Sequence, residues 1–317
     1  MSLEASTYLG DNVSLICRDD MCTVYKLEDS TGEGMMTCYN IFPGVDLMYN
    51  DFHIDSCLSS FQTNADLFCI DHCREGRLEW EMDDGSYLYM EAADLQMSSR
   101  ARHSRMFRFP LRHYHGITLA ININEAASIL PGVIDGFCVD IHALRNRFCH
   151  CEKPFIMRAG NSIKQIFAEL YAVPEAIRAP FFKVKVLELL LVLSTMAVPP
   201  GGGERPYFYK THVEKVKAIM ALITSKPEKR YTLEELSARF DFPITSMKNC
   251  FKGVYGTSIY AYMKAYKMNA AAVRLRRTKD SVTTIALEMG YDSASKFSAA
   301  FKSVIGMTPA EYRKSVV

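Results

Sequence analysis

Two short runs near the carboxy terminus hold the side chains best suited to reading a polyanion. The first contains Thr245, Ser246, Lys248, Asn249 and Lys252; the second contains Ala294, Ser295, Lys296, Ser298, Ala299 and Lys302. Short hydroxyl, amide and ammonium groups at a helix amino end match base edges and phosphates in the major groove of duplex DNA. The same residue types also suit a merely solvated helical face. Charge argues for the former. Residues 1–206 carry 18 Lys and Arg against 27 Asp and Glu, whereas residues 207–317 carry 19 against 9. An acidic part joined to a basic part implies two tasks, and the basic part wants a polyanion.

The two runs are also copies of each other. Phe251-Lys252 with Gly256 recurs as Phe301-Lys302 with Gly306, while Met247, Ser258 and Tyr262 recur as Phe297, Thr308 and Tyr312. Upstream, Leu236-Ser237 matches Ile285-Ala286 at an offset of forty-nine rather than fifty, so the second copy has one extra residue in its turn region. Each copy reads as helix, tight turn, helix. Thr232 is placed to cap a helix ending at Phe240, with Asp241 in the turn; Ser281 is placed to cap residues 282–289, with Gly290 in the turn. Met247 with Phe251, and Phe297 with Phe301, lie four apart and form the inward faces. Between the copies, residues 259–278 read as one long helix. It would hold the two readers about 34 Å apart, one turn of DNA. Arg276, in its basic last turn, suits a phosphate clamp or a salt bridge better than a base contact.

These elements sit in a chain of 317 residues, long enough for two domains, with 49% hydrophobic and 23% charged residues. The amino-terminal stretch has neither the basic nor the apolar region of a signal peptide, and the apolar run 189–198 is too short to span a bilayer. A cytoplasmic protein without membrane contact is expected. Cys17, Cys38, Cys57, Cys69 and Cys138 are then expected to be thiols that pack as small apolar groups. Residues 198–206, with two prolines before three glycines, read as a linker.

Before that linker the pattern is first strand-like and then helical. Residues 77–82 and 86–91 alternate apolar and polar around Asp83-Asp84-Gly85, a hairpin signal, and residues 115–124 alternate too. Residues 161–172 and 174–197 show helical spacing, with Pro174 at a helix start. The second of these is apolar around most of its circumference from Val184 to Val192, which means full burial or a partner chain. The fold class expected is α+β. Candidate binding residues for a small molecule in the strand region are Arg77, Trp80, Tyr87, Tyr89, His113 and His115, with His72 and Arg74 beside them. Trp80 equally fits plain core. His113 and His115 would share one face of a strand, as metal-ligating histidines do. No glutamate follows between 116 and 124, so no metal, cofactor or catalytic residue is expected. Cys69, His72, Cys73 and Cys149-His150-Cys151 lack zinc-ribbon spacing, although a redox or haem response remains an option.

The duplicated half, and above all Ile285-Ala286, Gly290-Tyr291, Phe297, Ala300-Phe301-Lys302, Gly306, Thr308-Pro309 and Tyr312-Arg313, resembles the DNA-binding domain of the AraC family of bacterial transcription regulators. The wording around residues 295–302 is most similar to the PchR-like branch, whose members respond to siderophores. The resemblance implies an amino-terminal cupin-like antiparallel β-barrel over 1–124, a helical dimerisation region over 125–197, the linker, and a double helix-turn-helix domain over 207–317. It implies a homodimer, a siderophore-like or other metabolite as effector, duplex DNA and RNA polymerase as partners, activation rather than repression, and no enzymatic activity. Two departures stand out: Pro243 replaces the usual capping serine, and Asn249 and Ala299 replace common arginines. Alternatives are a metal-dependent cupin enzyme fused to a DNA-binding module, and a regulator controlled by protein partners without a ligand.

Overall fold

The alternation on either side of Gly85 becomes two strands, β5 (Ser56–Glu81) and β6 (Ser86–Glu91), with Gly85 at φ +74° where an L side chain would be strained. The computed structural model describes residues 13–82, 84–149, 154–198 and 207–315, and leaves aside the side chains of 57–65 and 100–106. The chain divides into two units, one of Met1–Asp84 with Leu88–Tyr207 and one of Gly85–Tyr87 with Phe208–Val317. Most of the expected linker, residues 199–206, lies outside the described residues, as do Asp83, His150 and Cys151.

The first unit is built on an antiparallel sheet of β1 (Val13–Arg18), β2 (Thr23–Asp29), β3 (Gly32–Phe42), β4 (Val45–His53), β5, β6, β7 (Asp94–Arg108), β8 (Tyr114–Asn122) and β9 (Phe155–Arg158). Its hydrogen-bonded order is β1-β2-β3-β4-β8-β5-β6, with β7 beside β5 and β9 beside β7. Arg108 of β7 faces both Ser56 and Glu79, so the two ends of β5 flank the end of one strand. The order does not return to β1 among the described residues. The expected barrel is therefore observed as an antiparallel sheet that is not closed.

Ile117, Leu119 and Ile121 of β8 alternate onto one face, as period-two geometry requires. There they meet Ile163, Ile166 and Phe167 of α3 (Asn161–Leu170) and Phe182, Val186, Leu190 and Leu193 of α4 (Arg178–Thr195). The shorter α1 (Ile123–Ile129) and α2 (Ile141–Phe148) complete that layer. A second core holds Leu27, Ile54, Trp80, Leu88, Met90 and Tyr114.

Two boundaries differ from expectation, each for a local reason. The strand expected to reach 124 stops at Asn122, whose side chain accepts from Glu125 N and starts α1. The helix expected from Pro174 opens with a 3-10 turn, Glu175–Ile177, and becomes α-helical only at Arg178. Pro180 lacks the N–H that an earlier start would require, and is tolerated only in the first turn. On α4, Val184 is 60% and Leu191 41% exposed, so that helix is not buried all round within its unit. Cys17, Cys22, Cys38 and Cys138 are free thiols, but Cys17 and Cys138 are exposed rather than packed. Among the described residues no helix is long and apolar enough to cross a membrane.

The second unit is helical: α5 (Lys210–Ser225), α6 (Leu233–Phe240), α7 (Ile244–Tyr255), α8 (Ile259–Arg277), α9 (Val282–Glu288), α10 (Ala294–Ile305) and α11 (Pro309–Ser315). α5 packs on α6 and α7, while α8 touches α7 on one side and α9, α10 and α11 on the other. Met268, Ala271, Ala272 and Leu275 of α8 close a core with Ile285, Ala286, Phe297 and Phe301. At about 1.5 Å per residue, α8 is a strut roughly 28 Å long.

Candidate nucleic-acid interface

α6 and α9 each start from a side-chain cap. Thr232 Oγ1 accepts from Glu235 N while Glu235 reaches back to Thr232 N, a full capping box, and Ser281 Oγ accepts from Thr284 N. Each helix then gives way to a left-handed residue, Asp241 at φ 43° and Gly290 at φ +76°. The helices that follow differ at their first turn. Ser293 caps α10 by accepting from Lys296 N, whereas Pro243 gives α7 no side-chain cap.

α7 and α10 bury equivalent faces. Met247 and Phe251, and likewise Phe297 and Phe301, are buried. Opposite them, Thr245, Lys248, Asn249 and Lys252 are exposed on α7, with Ser246 half-buried. On α10, Ser295, Lys296, Ala299 and Lys302 are exposed, with Ser298 half-buried. Every one of the expected contact residues on these helices therefore keeps its side chain at least partly in solvent, on a face distinct from the packed one.

Ion pairs fix the second helix pair to its surroundings. Arg274 Nη2 lies 3.0 Å from Asp280 Oδ2 and 3.1 Å from Glu288 Oε2, joining the end of α8 to α9. Hydrogen bonds from Thr278 and Arg274 hold the Asp280 carboxyl below the usual range, which keeps that pair charged. Arg230 donates twice to Gly290 O, at 2.9 and 2.6 Å, and so clamps the turn before α10 to the segment ahead of α6. Lys267, buried under this turn, has its pKa lowered by desolvation and by Arg230 nearby. Arg276 behaves differently from Arg274. It is exposed and makes no ion pair among the described residues, which leaves its charge available to an outside anion.

The candidate small-molecule residues fall into separate surroundings. Arg77 is buried and donates to Glu91 Oε2 at 2.7 Å; Tyr89 is buried and donates to Glu79 Oε2 at 2.7 Å, with the Arg77 guanidinium 5.7 Å from its ring centre. Trp80 belongs to the apolar core, and Tyr87 is buried. His113 precedes β8 with Nδ1 3.1 Å from Leu111 O, while His115 contacts Asp51 and His53. Sequence reasoning missed Asp51 and His53. It named His72 and Arg74 but not their aromatic partners: His72 stacks on Phe167 at 4.1 Å and lies 3.4 Å from Tyr171 Oη, with Arg74 over the Tyr171 ring. Burial pushes the His72 imidazole down to about 4, so it stays neutral near pH 7.

Residues 236–315 match the model of a helix-turn-helix domain. The TetD protein of transposon Tn10 from Escherichia coli is 28% identical over 104 residues, covering 33% of this chain and 75% of that protein. The transcriptional regulator Rob of Salmonella typhimurium is 30% identical over 100 residues, covering 32% of this chain and 35% of that protein. The match thus spans about a third of this chain and about a third of Rob. A transcriptional regulator with an AraC-type DNA-binding domain from Chromobacterium violaceum is similar over 33% of this chain and 93% of its own, at 22% identity and a TM-score of 0.31. Residues 236–315 match a helix-turn-helix domain, and the segment this chain shares with Rob covers about a third of each.

Proposed function

We propose that the protein is a sequence-specific DNA-binding regulator of transcription, with α7 and α10 as its two recognition helices. The observation that carries this reading is the matched pair of exposed faces. Lys248, Asn249 and Lys252 on α7, and Ser295, Lys296 and Lys302 on α10, stand opposite the buried Met247–Phe251 and Phe297–Phe301 faces of equivalent helices. Both faces lie in the basic part of the chain, where phosphate attraction supplies affinity and base edges supply choice. Thr245, Ser246, Ser298 and Ala299 complete the reading faces, and Arg276 takes a phosphate. The duplicated helix pairs act as two helix-turn-helix units set about one DNA turn apart by α8.

The first unit takes the sensing and pairing roles. Residues 1–124 act as a cupin-like sensor for a small metabolite, a siderophore-like molecule among the options, and Arg77 and Tyr89 with their acidic partners Glu91 and Glu79 would anchor it. Residues 125–197 pair two copies, with Val184 and Leu191 on the open side of α4 as the contact. Residues 198–206 link the units, and binding of effector shifts the population of DNA-competent dimers. The setting is the cytoplasm, and the output is contact with RNA polymerase. A promoter carrying the selected site, transcribed by RNA polymerase with and without the protein, tests this. Altered transcript yield is expected; occupancy of the site with unchanged yield would contradict the regulatory role.

A further inference from the structure

We propose that Asp51, His53 and His115 form a binding site for a divalent transition-metal ion, zinc or a close relative, on the surface of the first unit. Asp51 of β4 and His115 of β8 are direct cross-strand partners, and His53 lies two residues beyond Asp51 on the same face of β4. Asp51 Oδ1 is 2.8 Å from His115 Nε2 and 2.9 Å from His53 Nε2, and the two Nε2 atoms are 3.4 Å apart. Three potential ligand atoms therefore converge from two strands.

Their spacing is that of the edges of a coordination polyhedron. Bonds of about 2.0–2.1 Å to nitrogen and oxygen place neighbouring ligand atoms roughly 3 Å apart. Two imidazoles with one carboxylate favour zinc and its first-row neighbours over magnesium or calcium, which prefer oxygen ligands alone. The flanking positions add negative charge. Glu33 is opposite His53 across β3–β4, and Glu75 is opposite His115 across β5–β8. Glu33 is held by Lys26 at 2.9 Å, whereas among the described residues Glu75 pairs with Arg74 alone, at 3.6 Å. All three ligands are at least a third exposed, so an ion can enter and water can complete its shell.

Without an ion, these contacts are exposed polar pairs, which contribute little to stability. With one, β4 and β8 are pinned across their seam, and the metal is bound by the folded state alone. Coordination through Nε2 leaves Nδ1 to carry the imidazole proton.

The test is equilibrium dialysis of the full chain against zinc, with bound metal measured by elemental analysis. The comparison is with His53→Ala/His115→Ala and with Asp51→Asn. The wild type is expected to bind one equivalent more than the double variant, and Asp51→Asn to weaken that equivalent about tenfold or more. Because cysteines elsewhere in the chain can also hold zinc, the difference between proteins is the readout rather than the total. Zinc should also raise the thermal midpoint of the wild type and not that of the double variant, while both melt alike in chelator. Equal stoichiometry in wild type and double variant, or an equal thermal shift in both, would overturn the proposal.

Discussion

Asp241 and Gly290 occupy the same place in the two helix pairs of the second unit, each ending its first helix in left-handed backbone, at φ 43° and φ +76°. The surroundings differ. A Cβ on Gly290 would lie 2.5 Å from Glu228 O, while Asp241 carries its side chain into solvent and gives its carbonyl to Lys215 Nζ at 2.6 Å. Gly290→Ala should therefore destabilise the second unit by about 2 kcal/mol or more, combining left-handed strain with the clash. Asp241→Gly should stabilise by roughly 0.5 kcal/mol, because relief of about 1–2 kcal/mol of strain exceeds the added backbone entropy of about 0.5–1. Urea denaturation of both variants decides this, and a neutral Gly290→Ala would refute the account of the turn.

Lys248→Ala and Asn249→Ala should each weaken binding to the preferred DNA site by about 1–3 kcal/mol if they touch base edges. Binding to random duplex should change less for Asn249→Ala than for Lys248→Ala, since only the lysine brings charge. Titration of labelled duplex by fluorescence anisotropy measures both. Unchanged affinity and unchanged preference in both variants would remove α7 as a reader.

Arg276 and Arg274 sit two residues apart, yet among the described residues only Arg274 is ion-paired, with Asp280 and Glu288. Arg276→Ala should lower affinity for all sequences alike and reduce the dependence of log K on log salt by about one unit of slope. Arg274→Ala should act mainly on stability, because it removes the guanidinium that Asp280 and Glu288 share. An unchanged salt slope in Arg276→Ala contradicts the phosphate role.

His72 makes the stability of the first unit depend on pH. Burial holds its imidazole down to about 4 in the folded state, against about 6.5 when unfolded. The unfolded chain takes up the proton first, so the contribution is complete above pH 6.5 and is lost as pH falls toward 4. The full span is worth up to about 3 kcal/mol. His72→Gln should flatten that part of the profile in denaturant titrations between pH 7 and 5. A variant with the wild-type slope would show that the imidazole is protonated in the folded state.

How much of this was legible in the sequence follows from how local each feature is. The caps at Thr232 and Ser281, the turns at Asp241 and Gly290, and the inward pairs Met247–Phe251 and Phe297–Phe301 each depend on residues within one helix pair, so spacing alone revealed them. The cluster of Asp51, His53 and His115 depends on the register between β4 and β8, more than sixty residues apart, which no local pattern encodes. The adjacent pair His113 and His115 drew attention instead, yet His113 lies ahead of the strand and turns to Leu111 O. Trp80 showed the opposite failing: a single tryptophan beside charged residues looked like a pocket wall, and its side chain lies in the core. The expected barrel likewise went beyond what alternation supports, because strand count and alternation do not determine which edges meet, and the observed sheet is not closed among the described residues.

The central claim, two readers on one chain, is tested most directly by selecting binding sites for the full-length protein from random duplex DNA. The account predicts two enriched boxes whose centres lie about one helical turn, roughly 10 base pairs, apart. It also predicts that Asn249→Ala relaxes one box while the other keeps its sequence. A single enriched box, or no enrichment at any salt concentration that supports binding, would contradict it.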